Sequence, residues 1–178
     1  MALPREYTSE FCPIARALEI VGERWTLLIL RDAFYGVSRF SDFRDHLGVP
    51  RAVLTERLNL LVTHGILVRS VAASGRDEYA LTAKGLGLWP TIWSLINWGN
   101  EHYMPDRQRR PFSHADCGIV AADGRCESCG ATPGPGELTV HPRPESPPMA
   151  PKTDPVSRAL SAPHHLLTPI AQSIRNPG

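Results

Sequence analysis

Four residues near position 120 have the types and the spacing of a metal site. His114 and Cys117 are separated by two residues, as are Cys126 and Cys129, and a glycine follows each pair. A short loop between paired ligands lets both face one tetrahedral ion, and a glycine eases the tight turn. The pattern therefore predicts a structural zinc site, in which protein ligands occupy all four positions around the ion.

Two other interpretations of these residues remain open. The three thiols could be unligated on a flexible linker, or Cys126 and Cys129 could form a redox pair. The redox interpretation is disfavoured because no thioredoxin-like βαβ pattern surrounds the pair. For an enzyme, Cys117 with His114 is the one nucleophile and base arrangement, and metal binding would use both residues. Since a glycine-rich cofactor loop is also missing from the sequence, we expect no enzymatic activity.

A second group of residues has the chemistry of nucleic-acid recognition. Leu54, Leu58 and Leu61 fall on one face of a predicted helix over residues 50–63. The other face then presents arginine, which can bridge guanine O6 and N7, and asparagine, which can bridge adenine N6 and N7. The predicted DNA-contacting residues are Arg39, Ser41, Arg51, Ala52, Thr55, Glu56, Arg57, Asn59 and Arg76.

The neighbouring elements complete a helix-turn-helix with a β-wing. Ser41 is a natural N-cap for a shorter first helix, and a Gly-Val-Pro turn separates this helix from the second. Two strand-like runs follow, over residues 66–71 and 77–81, and the polar turn between them carries Arg76 at its tip. An arginine there can reach phosphates or a narrow minor groove. The alternative is a helical hairpin and an ordinary β-hairpin with solvated arginines.

Further helices are predicted on both sides of this unit. Apolar stripes indicate helices over residues 11–22 and 27–35, which would support the helix-turn-helix. Residues 82–98 predict one long helix that carries three tryptophans, and Pro90 should either kink this helix or mark its true first turn. We interpret the surplus of tryptophan as a homodimer interface, whose two-fold symmetry would match a palindromic DNA site. A helix that packs only into the core is the alternative.

Charge and composition limit the class of protein. The formal net charge is +1, and residues 36–85 hold seven Arg or Lys against five Asp or Glu. Any DNA affinity must therefore come from the placement of arginines and not from bulk charge. No apolar run approaches the roughly 18 residues of a membrane span, and we find no signal peptide. Four cysteines in such a chain suit a reducing cytoplasm, where we expect the protein to act.

The C-terminal part of the chain has a different composition. Eleven of the 17 prolines lie after residue 130, and no apolar periodicity persists there. We therefore expect a disordered tail, with a short partner-binding helix within residues 155–174 as the alternative. The expected fold is α+β and mainly α. Its predicted parts are a flexible arm (1–10), a winged helix-turn-helix domain (11–105), a zinc-binding module (106–131) and a disordered tail (132–178).

Several short segments occur in order over residues 12–103. They are Cys12-Pro13-Ile14, Trp25-Thr26, Arg39-Phe40-Ser41, Val53-Leu54-Thr55, His64-Gly65-Ile66-Leu67, Glu78-Tyr79 and Trp98-Gly99. Through these segments the chain resembles the HxlR-type family of bacterial winged helix-turn-helix regulators, which are relatives of the MarR group. The resemblance implies a homodimer that binds operator DNA and represses neighbouring genes, with a reading helix over residues 50–63 and Arg76 at the wing tip.

The resemblance also implies two candidates for regulation. Some members of the family sense oxidants or electrophiles through a cysteine at the position of Cys12, and a helix N-terminus favours the reactive thiolate. A small hydrophobic role for Cys12 is the alternative, and a small-molecule effector is a further possibility. A different functional class, a winged-helix module that docks a protein through its zinc-ribbon-like segment, would not need the arginines of the DNA-facing surface.

Overall fold

The computed structural model describes residues 11–104, 109–144 and 153–170, so the predicted arm over residues 1–10 lies outside the described part. No helix in that part is long and apolar enough to cross a membrane. The seven α-helices and six strands of the described part are α1 (Pro13–Val21), α2 (Arg24–Phe34), α3 (Phe40–Leu47), α4 (Arg51–Thr63), β1 (Leu67–Val71), β2 (Asp77–Leu81), α5 (Ala83–Leu86), α6 (Trp89–Tyr103), β3 (Phe112–His114), β4 (Gly118–Ile119), β5 (Leu138–Val140), α7 (Pro155–Ala159) and β6 (His164–His165), and a short 3-10 helix (Pro135–Glu137) precedes β5.

Helices α1 to α4 and the β1–β2 hairpin form the expected winged helix-turn-helix. The turn between α3 and α4 depends on Gly48, which adopts the left-handed conformation (φ +65°) that glycine tolerates best. The prediction that Ser41 caps α3 is wrong. Arg39 is the N-cap, because its carbonyl already accepts a helical hydrogen bond from the amide of Phe43 at 3.1 Å. The Ser41 hydroxyl instead donates to the Asp42 carboxylate.

The core lies where α2, α3 and α4 meet. The predicted leucine stripe of α4 is confirmed, because its three members are fully buried. Burial of one such side chain contributes roughly 1.5–3 kcal/mol relative to exposure. The fully buried side chains from these three helices are Ile29, Leu30, Phe34, Phe43, Leu54, Leu58 and Leu61.

The predicted long helix over residues 82–98 is two helices, α5 and α6. The Thr82 side chain accepts a hydrogen bond from the amide of Gly85 and caps α5. Pro90 then stands in the first turn of α6, where its missing N–H leaves no hydrogen bond unmade. A proline in the middle of one continuous helix would have removed such a bond, so the break falls before Pro90.

Two of the three tryptophans in this region belong to the core of the chain itself. Trp89 and Trp93 are 6% and 9% exposed, and the ring of Phe112 from β3 packs on both, at centroid distances of 6.2 and 5.1 Å. Trp89 also contacts Phe34 of α2 at 5.0 Å. Trp89 and Trp93 are therefore core residues, and the surplus that we interpret as an interface is limited to Trp98, which is 53% exposed.

A second antiparallel sheet follows α6, in the strand order β4-β3-β5-β6. Strand β5 pairs with β3 along its whole length, and β6 pairs with β5. The strands of the predicted zinc module and the strands that follow it thus share one sheet. The predicted boundary between residues 131 and 132 is not a domain boundary in this fold.

The prediction of a disordered tail is wrong for residues 132–144 and 153–170. Val156, Leu160, Leu166 and Ile170 are at most 3% exposed and join the same core as α2 and α4. Apolar side chains placed between the prolines supply the burial that offsets the loss of chain entropy. The prolines are compatible with this order, since Pro155 occupies the first turn of α7.

The C-terminal segment is anchored on the turn after α2. The Ile170 amide donates to the Gly36 carbonyl at 3.2 Å, and His164 bonds the Tyr35 carbonyl through Nε2 at 2.9 Å. Gly36 has a φ of +86°, and a Cβ there would lie 1.9 Å from the Thr168 carbonyl oxygen. The close approach therefore requires glycine at this position.

Candidate nucleic-acid interface and metal cluster

The outer face of α4 is exposed as predicted. Arg51, Ala52, Thr55, Glu56 and Asn59 are all exposed, while the leucine stripe on the opposite face is buried. The period of the helix produces this division, because residues three and four apart lie on the same side.

A cavity of about 590 Å³ separates α4 from the wing. The walls come from the N-terminal end of α3, the outer face of α4 and the β1–β2 hairpin. Six of the nine predicted DNA-contacting residues line this cavity together: Arg39, Ser41, Arg51, Thr55, Asn59 and Arg76. The other three, Ala52, Glu56 and Arg57, lie outside it.

Backbone contacts hold the wing against α3. The amide of Tyr79 in β2 donates to the Ser38 carbonyl at 2.8 Å, just before α3 begins. At the tip, the Ala72 amide donates to the Arg76 carbonyl at 2.8 Å, and Gly75 adopts a φ of +74° that the tight turn requires. Arg76 therefore projects from a defined turn and is exposed.

The arginines that line this cavity differ in how their charges are compensated. Arg39 pairs with Glu78 at 3.2 Å, and Arg69 pairs with Asp77 at 2.6 Å, which raises the pKa of Arg69 through this hydrogen bond and charge. Among the described residues, no carboxylate pairs with the other two arginines of the cavity. These are Arg51 and Arg76.

The lining residues that sequence reasoning missed include Phe40 and Arg69. The guanidinium of Arg51 lies 5.4 Å from the centroid of the Phe40 ring, a cation–π contact that orients the arginine. The alternation of side chains along β1 could have identified Arg69, because it places Arg69 on the same face of the hairpin as Tyr79, its partner in β2. By contrast, the predicted residue Arg57 pairs with its neighbour Glu56 on the helix surface.

The four predicted metal ligands come together at one point. His114 ends β3, and Cys117 lies in the turn before β4, where its amide donates to the His114 carbonyl at 2.8 Å. A second tight turn holds Cys126 and Cys129, closed by a 2.8 Å bond from the Gly130 amide to the Cys126 carbonyl. The ligand atoms of all four lie within 4.8 Å of one another, so this His/Cys cluster could bind a metal ion.

The distances within the cluster match a tetrahedral ion. Zinc–sulfur bonds of about 2.3 Å place two sulfurs about 3.8 Å apart in a tetrahedron. The Sγ atoms of Cys117 and Cys126 are 3.7 Å apart, and the Sγ of Cys129 lies 3.4 Å from Nδ1 of His114. On the other side of the ring, Nε2 of His114 faces the Glu137 carboxylate at 3.9 Å, which is longer than the hydrogen bond that usually orients a histidine ligand.

The thiols of the cluster differ in acidity. The backbone amides of Cys129 and Ser128 donate to the Cys126 sulfur, and the first of them contributes most to lowering its pKa to about 6. The pKa of Cys117 is raised to about 11, chiefly by its hydrogen bond to the Cys126 sulfur. Cys126 is thus predisposed to the thiolate form, which a metal ion requires of its ligands.

Cys12 is placed at the N-cap of α1, half-buried and without a side-chain hydrogen bond to the helix. Its position agrees with the predicted helix N-terminus. A sensing role for Cys12 stays a prediction.

Comparisons with known proteins agree on one family. Residues 20–107 match the model of the HxlR-like helix-turn-helix. An uncharacterized HTH-type transcriptional regulator of Mycobacterium tuberculosis is 45% identical over 136 residues, covering 69% of this chain and 85% of that protein. One from Synechocystis is 35% identical over 120 residues, covering 66% and 84%. The crystal structure of PA1607, described as a putative transcription factor, matches with a TM-score of 0.54 at 40% identity, covering 56% of this chain and 71% of that one.

These relatives are regulators of transcription, a class that is generally not enzymatic, and they share the winged helix-turn-helix with this chain. The predicted family is confirmed. The chain belongs to the HxlR-like helix-turn-helix family of transcriptional regulators.

Proposed function

We propose that the protein is a homodimeric, sequence-specific repressor, which acts in the cytoplasm on a palindromic operator. The observation that carries this proposal is the cavity between α4 and the wing, where six predicted DNA-contacting residues converge and no described carboxylate pairs with Arg51 or Arg76. An unpaired arginine keeps its full charge and its donors for phosphate or for a base edge. The wing stands beside α4, so one duplex could contact both.

The position of each side chain determines which part of the DNA it would contact. Arg51 and Asn59 lie on the outer face of α4 and reach base edges in the major groove, where their side chains can form bidentate hydrogen bonds. Arg76 at the wing tip contacts phosphates or the minor groove. Arg39 and Arg69 keep acidic partners on β2, so they hold the wing in place and contribute less charge to the interface.

Changes at these positions should separate base contacts from phosphate contacts. Replacement of Arg51 or Asn59 with Ala should weaken operator binding by roughly 1–3 kcal/mol and relax the preference at one base position. Arg76→Ala should weaken binding to all sequences alike and lower the salt dependence by about one released ion. Fluorescence anisotropy with the promoter beside the protein's own gene, over a range of salt concentrations, measures both.

Arg125→Ala is the matched control, because this exposed arginine lies in the metal module and outside the cavity. Its operator affinity should equal that of the wild type. If Arg51→Ala and Asn59→Ala both bind as the wild type does, α4 is not the reading helix.

The proposed dimer is supported by apolar side chains that this chain alone leaves exposed. On α1, Ile14 and Leu18 are 68% and 54% exposed; on α6, Leu95 and Trp98 are 47% and 53% exposed. Large apolar side chains gathered on two helices usually mark a surface that another molecule covers. The two-fold axis of a dimer would place two reading helices on successive turns of DNA.

Two substitutions on α6 should give different results. Trp98→Glu should produce a folded monomer. In the single chain the new carboxylate can stay in contact with water, because position 98 is half exposed, whereas the dimer would bury this charge at a cost in free energy. Ile92→Glu should instead unfold the chain, since Ile92 is 3% exposed within its own core. Sedimentation and thermal melting distinguish the two outcomes. A wild-type protein that sediments as a monomer at micromolar concentration contradicts the interface.

For the His/Cys cluster we propose a structural zinc ion. Three thiolates and one imidazole form a soft donor set that zinc prefers, and the spacing suits tetrahedral geometry. His114, Cys117, Cys126 and Cys129 would fill all four positions, so no position is left for substrate. The ion would join the end of β3 to the turn that holds the second cysteine pair.

A further inference from the structure

Two neighbouring cavities lie away from the DNA-facing surface and share four of their lining residues. Their volumes are about 410 and 320 Å³, and the shared residues are Arg31, Tyr35, Arg110 and Arg143. None of the four lines the cavity between α4 and the wing. The site lies where α2 meets the segment that leads into β3 and the C-terminal part of the sheet.

The three arginines bring more positive charge than the described residues compensate. Arg31 donates twice to one oxygen of Asp32, at 2.9 and 2.6 Å. Arg110 donates to two carbonyl oxygens, those of His141 and Leu160, and has no carboxylate partner in the described part of the chain. Burial lowers the pKa of Arg110, and the charges of Arg143 and Arg31 lower it further.

Arg143 is exposed, and the structure gives it no ion pair within the described ranges. Its charge acts on Arg110 and on Tyr35, which line the same two cavities. Two guanidinium groups that line one cavity, with no carboxylate among the described lining residues, repel each other. An anion placed between them would relieve this repulsion and accept their hydrogen bonds.

Tyr35 supplies an independent observation. Its side chain is 94% buried, since only 6% is exposed, and it lines both cavities. Its hydroxyl makes no hydrogen bond to a described residue, so this donor is available to a ligand in the cavity. A ligand oxygen in the cavity would complete this hydrogen bond.

The remaining walls are mainly apolar in the second cavity and mixed in the first, where His46 and Ser157 stand beside the leucines. Leu28, Leu47 and Leu160 line the first cavity, and Leu95, Ile96 and Phe112 line the second. Small-molecule sites in proteins have this composition, with apolar walls and a few convergent polar groups. A free inorganic anion would leave these walls without contacts.

We propose that the cavities form a binding site for an organic acid, with its carboxylate between Arg110 and Arg143 and its apolar skeleton against the leucines. The Tyr35 hydroxyl donates to the same carboxylate. His46 and Leu47, at the end of α3, also line the first cavity, so the acid contacts the first helix of the helix-turn-helix. We therefore expect the acid to change operator affinity, and this second step rests on the proposed function.

The test is isothermal calorimetry of the full chain with 2-naphthoate and with 2-naphthamide, a neutral molecule of the same shape. The acid should bind at least roughly tenfold more tightly than the amide, because only the acid carries the charge that the arginines recognise. Arg143→Glu should weaken binding of the acid by at least about tenfold, and Tyr35→Phe by a smaller factor. Arg158→Glu makes the same charge change at an exposed arginine outside both cavities and should bind like the wild type.

Several results would overturn the site. These are equal affinity for the acid and the amide, no binding of either, or wild-type affinity in Arg143→Glu. Thermal melting verifies that the variants are folded, which we expect for Arg143→Glu because the side chain is exposed. Calorimetry contains no DNA, so it decides the site whether or not the chain is a repressor. Operator binding with and without 2-naphthoate then tests the regulatory step alone, with Arg143→Glu as the variant that should not respond.

Discussion

A chain that ends at residue 152 should not fold into a stable protein. The truncation removes Val156, Leu160, Leu166 and Ile170, which are at most 3% exposed and pack in the core with α2 and α4. Loss of a single buried leucine or isoleucine side chain costs about 2–5 kcal/mol. Loss of several exceeds the roughly 5–15 kcal/mol by which a typical domain is stable. We expect no cooperative thermal transition when circular dichroism is followed with temperature.

Point variants test the same contacts in a chain that remains folded. Leu166→Ala should lower the free energy of unfolding by about 2–5 kcal/mol, because the leucine is 1% exposed. Arg158→Ala changes an exposed side chain of the same segment and should stay within about 0.5 kcal/mol of the wild type. If the truncated chain melts at the temperature of the full chain, the C-terminal segment is not part of the core.

The winged helix could be predicted from the sequence and the C-terminal segment could not, and this difference has a physical cause. The stripe of Leu54, Leu58 and Leu61 was predictable because α4 has 13 residues, enough for the helical period to repeat. Strand β6 has two residues and α7 has five, which is too short for any period to be seen. Their apolar side chains also alternate with prolines, and this composition resembles that of disordered segments.

The two candidate sites show the same limit of prediction from sequence. Spacing within one turn predicted all four members of the His/Cys cluster, because each pair is local in sequence. Likewise, the outer face of α4 follows from its period alone. The role of Arg69 and the contact of Arg51 with Phe40 depend on where the wing and α3 lie relative to α4. Contacts between separate helices and strands cannot be predicted from the residue spacing of a single sequence.

Packing of the metal module on α6 could not be predicted for the same reason. Phe112 stands two residues before His114 and packs on Trp89 and Trp93. The indole N–H of Trp93 also donates to the Ala122 carbonyl at 3.0 Å, within the loop between the two ligand pairs. From the sequence alone we would expect the winged helix to be indifferent to the metal. The structure makes the module part of the core instead.

Protein purified without chelator should carry about one zinc ion per chain, and Cys126→Ser should abolish it. Serine cannot supply the thiolate, and Cys126 is 1% exposed beside the Cys117 sulfur at 3.7 Å. Cys12→Ser is the matched control, because Cys12 lies at the start of α1, outside the cluster, and should keep the full metal content. Elemental analysis of the three proteins gives the metal content directly.

Removal of the metal should also lower the melting temperature of the whole chain in a single transition. A ligand present at a thousand times its dissociation constant contributes about 4 kcal/mol, and for a chain of this length each kcal/mol moves the melting temperature by about 2–4 °C. We therefore expect a drop on the order of 10 °C with chelator in the wild type, and none in Cys126→Ser.

Because the thiols must lose their protons to bind the metal, lowering the pH should also release it. Metal-free wild type with freely reactive Cys117, Cys126 and Cys129 would rule out the site. A core that melts unchanged while the metal leaves would show that the contacts of Phe112 survive without the ion.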